Sequence, residues 1–126
     1  MDNVTIFRPR ERIRQDGEAI AALYRNLGTA TAEQLVTRAL GELALTMSGL
    51  DAKVRAHDLA DVVRQLRRLQ RMAENLGMIS LCAVSGDAST CLQSGDSTAF
   101  SAVWARLMRI AERSLAADRG AADLSV

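Results

Sequence analysis

The stretch RQLRRLQRMAENLGM, residues 64 to 78, places Arg64, Arg67, Arg68 and Arg71 at i, i+3, i+4 and i+7. On a helix that spacing gathers four guanidinium groups into one stripe. A guanidinium holds its charge at any working pH and presents parallel N–H donors that grip a carboxylate or a phosphate in pairs. The chemistry on offer is therefore recognition of an anionic surface. A charged stripe also serves simply to keep the polar face of a helix in water. Leu66, Leu69, Ala73 and Leu76 form the opposite, apolar stripe.

Other residue types give less. His57 is the single histidine. The serines and threonines have no histidine close in sequence to activate them, and the acidic residues form no evident dyad. Cys82 and Cys91 are nine residues apart. Along one helix that separation is about 13 Å and puts them on opposite faces. A disulfide needs Cα atoms within about 7 Å, so two free thiols are expected. No Cys/His cluster has metal spacing and no glycine-rich phosphate loop occurs. The expectation is a protein that binds, with no cofactor and no enzymatic activity.

The elements that carry these residues read as helices. Ile20, Leu23, Tyr24 and Leu27 predict a short helix that Gly28 stops. Thr31 and Gln34 read as a capping box. Val36, Leu40, Leu43, Met47, Leu50 and Val54 repeat at 4, 3, 4, 3, 4, which predicts a long second helix. Gly41 and Gly49 interrupt it and are expected to admit a close helix neighbour. Asp58 is placed as the cap of a third helix through Leu59, Val62, Leu66, Leu69, Ala73 and Leu76, closed by Gly77. A fourth helix carries Ile79, Leu81, Val84, Ala88 and Leu92. After a turn at residues 94 to 97, with Asp96 or Ser97 as cap, a fifth carries Phe100, Val103, Trp104, Leu107, Ile110, Ala111 and Leu115.

No window of useful length alternates with period two, so no sheet is expected. The fold reads as all-α, an antiparallel four-helix bundle with a short extra N-terminal helix. Residues 1–14 read as a flexible arm, 15–119 as the bundle and 120–126 as a frayed tail. Within the arm, Arg8, Arg10, Arg12 and Arg14 alternate as in an extended segment.

Bulk properties narrow the function. A chain of 126 residues with 48% apolar residues can bury a core without staples. A net charge of +1 and four aromatic residues leave little for nucleic-acid binding. No apolar run is long enough to span a membrane, and the N-terminus lacks the apolar segment of a secretory signal, so the expected location is cytoplasmic.

The third, fourth and fifth helices together resemble the histidine-containing phosphotransfer (HPt) domain. The resemblance covers roughly residues 40 to 115. That family is a four-helix bundle whose signature helix reads His-x-Leu-Lys-Gly, followed by small residues and Leu-Gly. Here Leu76-Gly77 matches the closing Leu-Gly, Gly95-Asp96 matches a Gly-Asp turn, and STAFSAVWARLMRIAERSL matches the last helix. An acidic residue often opens the signature helix about nine residues before its histidine, and Asp58 stands nine before Arg67.

In that register Arg67 occupies the phosphoacceptor position, Leu69 keeps the leucine, Gln70 replaces the lysine and Arg71 the glycine. A phosphoacceptor must offer an uncharged ring nitrogen as nucleophile. A guanidinium cannot serve. The resemblance thus implies a two-component signalling protein that is inactive in phosphotransfer and binds the receiver domain of a response regulator, or a histidine kinase. Arg64, Arg67, Arg68, Gln70 and Arg71 would form the docking surface, complementary to an acidic receiver pocket.

Two alternatives stand beside it. In a shifted register His57 and Leu59 keep His-x-Leu, so His57 would carry the phosphoryl group. Ala60 then replaces the lysine, and Asp58 and Asp61 would repel the phosphate. The other alternative is a self-associating helical bundle. Trp104 and Met108 broaden the apolar face of the fifth helix, and Met72, Met78 and Leu81 add apolar surface at the far end, as a homodimer would require.

Overall fold

The computed structural model describes the backbone of residues 12–124 and the side chains of residues 12–118. Among the described residues there are five helices and no strand: α1 (Gly17–Leu27), α2 (Thr29–Arg55), α3 (Val62–Asn75), α4 (Ile79–Gln93) and α5 (Ser97–Leu124). Helix α3 packs on α2 and α4, and α5 packs on α4 and α2, so these four close a ring. Helix α1 packs on α2 from outside that ring.

The apolar repeats point into the ring. Leu43, Leu50, Leu66, Leu69, Leu81 and Leu107 are among the fully buried side chains. The core is aliphatic except for Phe100 and Trp104, whose rings stack 5.7 Å apart. The indole Nε1–H of Trp104 donates to Asp51 Oδ1 at 3.2 Å, which gives the polar edge of that ring a partner and ties α5 to α2.

Several helix ends differ from the sequence expectation. Helix α2 starts directly at Thr29 after Gly28, whose φ of 80° only glycine adopts readily, and no side chain caps it. Thr31 and Gln34 therefore stand within the helix and form no capping box. Asp58 does not cap α3, because the chain needs residues 56–61 to turn from α2. Asp61 is the N-cap, and Leu59 is left exposed outside the helix. Asp96 caps α5 as expected, accepting from the Ala99 N–H at 3.0 Å. Helix α5 continues through Gly120 to Leu124, past the point where the sequence suggested fraying.

Gly41 and Gly49 do not admit a helix neighbour, since a β-carbon on either would meet nothing within 4 Å. Ile79 is largely exposed, although its spacing suggested a core position. The apolar face expected for self-association is mostly consumed by the core: Trp104, Met78 and Leu81 are buried, and Met72 and Met108 are half-buried against them.

The boundary of the N-terminal arm also moves. Residues 1–11, with Arg8 and Arg10, lie outside the described residues. Arg14, however, is fixed to the start of α4. Its N–H donates to Ser80 Oγ at 2.7 Å, and its carbonyl accepts from the Ser80 N–H at 3.1 Å. The Asp16 N–H donates to the Gly77 carbonyl at 2.7 Å, and Gln15 Nε2 reaches the Ser114 carbonyl on α5.

Candidate functional site: the arginine face of α3

Helix α3 is bounded at both ends by chain chemistry. At its C-terminus the Met78 N–H bonds to the Ala73 carbonyl (2.9 Å) and the Gly77 N–H to the Glu74 carbonyl (3.0 Å). That pattern needs a left-handed residue, and Gly77 supplies it at φ 70°. Leu76-Gly77, the most recognisable pair in the sequence, is thus a helix stop. It is also a contact: a β-carbon on Gly77 would stand 2.1 Å from the Asp16 carbonyl oxygen.

Between these ends the buried stripe of Val62, Leu66, Leu69 and Ala73 turns the arginines outward. Arg64, Arg67, Arg68 and Arg71 are all exposed. The structure divides them. Arg64 forms a two-pronged pair with Asp61, from Nε to Oδ1 at 2.9 Å and from the terminal nitrogen to Oδ2 at 3.1 Å. Asp61 also accepts from Gln65 at 3.2 Å and from Lys53 at 3.4 Å. The hydrogen bonds from Arg64 and then Gln65 hold the Asp61 carboxyl below its ordinary range. Arg67, Arg68 and Arg71 make no ion pair or side-chain hydrogen bond with any described residue. The i, i+3 pair of Arg71 with Glu74, which the spacing permits, does not form.

Gln70 is half-buried and lies apart from the arginines, over α4. Its Nε2 stands 3.1 Å from the place a β-carbon on Gly86 would take. Cys82 lies near the same seam. Burial pushes its thiol up, the Glu74 carboxylate adds to this, and the Gln70 amide opposes it. The thiol stays protonated at neutral pH and is a poor nucleophile there. Cys82 and Cys91 are both free. Among the described residues no three His, Cys, Asp or Glu side chains stand together as metal ligands. No described helix is long and apolar enough to cross a membrane.

His57 belongs to neither α3 nor the arginine face. It follows α2, exposed, at φ 55°. The Asp58 N–H bonds to the Lys53 carbonyl (2.9 Å) and the His57 N–H to the Val54 carbonyl (3.1 Å). This is the same helix stop that Gly77 makes, with a histidine in the left-handed place. The shifted register, which set His57 at the mouth of α3, loses its helical frame, because the helix begins only at Val62.

Leu45 has no role in the sequence pattern, yet it marks a feature of this region. Its side chain is 75% exposed on α2, beside a groove whose other wall comes from α3. The only signal for it in the sequence is an apolar residue off the 4, 3, 4 repeat. Compared with protein-family models, curated proteins and solved structures, the chain finds no match.

Proposed function

We propose that this chain is a bundle of the histidine-phosphotransfer type that has lost its phosphoacceptor and acts by binding a response-regulator receiver domain, or the histidine kinase that serves it. Support for the scaffold comes from the closed ring of α2 to α5 with α1 outside it. Support for the loss comes from the residue types at the signature positions: Arg67 for the histidine, Gln70 for the lysine and Arg71 for the glycine.

The observation that carries the docking reading is the state of Arg67, Arg68 and Arg71. They share one exposed face and have no partner among the described residues. Arg64, on the same stripe, is already neutralised by Asp61. Three guanidinium groups kept free on a rigid helix offer a preorganised site for carboxylates. Binding there occupies a docking surface and passes no phosphate. Such a role places the protein in the cytoplasm with its partners.

Titration of the protein against purified receiver domains and kinases from the same cell tests this. Binding is expected at low salt and should weaken as salt rises, because exposed charges are screened beyond about 10 Å at 0.1 M. Arg67→Glu together with Arg71→Glu should weaken it by at least about tenfold. Absence of binding to every such domain at low salt would refute the reading.

A further inference from the structure

The groove between α2 and α3 lies next to the arginine face and shares Arg68 with it. Its α2 wall is formed by Leu45 and Gly49, and Lys53 and Gln65 stand on its lining, with Glu42 the acidic member. Leu45 has no place in the core, since Leu43, Met47 and Leu50 fill the inward positions of that stretch. Gly49 lowers the helix propensity of α2, yet nothing within 4 Å of its would-be β-carbon requires a glycine. Within the chain, neither residue has a structural reason for its type.

The far wall is fixed. Lys53 from α2 and Gln65 from α3 meet on the Asp61 carboxylate, at 3.4 and 3.2 Å. That clamp holds the two helices at a set separation. Arg68 stands at the groove's rim with its charge uncompensated. The combination is an exposed leucine, a missing side chain beside it and a free cation one step away. A trough between two helices accepts the ridge of a third.

We infer that the groove receives a helix of the docking partner, one that sets an apolar side chain on Leu45 in the space over Gly49 and directs a neighbouring carboxylate to Arg68. This rests on the proposed docking function and extends its footprint from α3 to α2. Charge complementarity selects an acidic helix: the adjoining surface carries Arg67 and Arg71 in addition to Arg68, all without partners among the described residues.

The experiment measures affinity for purified receiver and kinase domains from the same cell, using the full chain, Leu45→Glu, Gly49→Gln and the Arg67→Glu/Arg71→Glu pair, with sedimentation of each alone. Leu45→Glu and Gly49→Gln are each expected to weaken binding about tenfold or more. Because Leu45 is exposed and Gly49 has open space beside it, both variants should keep their helical content, and Gly49→Gln should raise Tm. Three outcomes overturn the inference. If the arginine pair abolishes binding while both groove variants bind like the unaltered chain, the groove is not used and the docking function survives. If nothing binds the unaltered chain, both fall together. If the unaltered chain is a dimer that Leu45→Glu dissociates, the occupant is a second copy and no acidic helix.

Discussion

Gln70 folds across α4 so that its side-chain nitrogen stands 3.1 Å from where a β-carbon of Gly86 would be. This contact draws the one uncharged member of the α3 surface away from the arginines on either side. A methyl at Gly86 would crowd only the end of a flexible side chain. Gly86→Ala is therefore expected to stabilise the protein by up to about 1 kcal/mol, through helix propensity. Thermal unfolding would show the gain, and the Gln70 side-chain amide resonances should shift. A loss of stability would mean that Gln70 is held more firmly than its position indicates.

Gly77 is a different case. Its φ is 70°, and a β-carbon there would overlap the Asp16 carbonyl oxygen at 2.1 Å. Gly77→Ala must move backbone, strain the α3 stop and loosen the hydrogen bond from the Asp16 N–H. The expected cost is about 2–3 kcal/mol. Hydrogen exchange should quicken at Asp16 and Ser80, because the segment before α1 is anchored at both. Unchanged exchange at those amides would show that the segment is held by other contacts.

His57 occupies a left-handed position at φ 55° that costs a side chain about 1 kcal/mol relative to glycine. His57→Gly should raise stability by about that amount and leave partner binding unchanged, since His57 lies off the arginine face. Reduced affinity in this variant would place the α2–α3 turn within the interface.

On α5, Ser114 Oγ and Asp118 Oδ2 are buried without hydrogen-bond partners, one helical turn apart. Burial pushes the Asp118 carboxyl above its ordinary value of 3.8. Between that value and the folded one, the native state holds more protons than the unfolded chain. Stability contributed by this group is present at lower pH and declines as pH rises through the window. Asp118→Asn is expected to raise Tm at pH 7 and to change it less at pH 4. Equal gains at both pH values would show that charge burial is not the cause.

The repeats at three and four residues specified the core of all four long helices, because burial of an apolar stripe dominates helix placement. Helix ends were less legible. Asp58 and Asp61 are both acceptable caps by type, and only the residues needed to turn from α2 decide that α3 opens at Asp61. The arginine stripe was legible in its exposure. Its division was not, because Arg64 is taken up by an aspartate that the sequence offers equally to Lys53 and Gln65. The anchoring of Arg14 to Ser80 joins residues 66 apart and leaves no local pattern. Leu45 stood outside the repeat, but an off-register leucine gains meaning only when a groove is seen beside it.

Binding without phosphoryl transfer is the central claim. Its most direct test incubates the protein with receiver domains carrying labelled phosphate and follows both the complex and the label. A complex should form in which this chain stays unlabelled. Label appearing on the chain, and disappearing in His57→Gly, would contradict the claim.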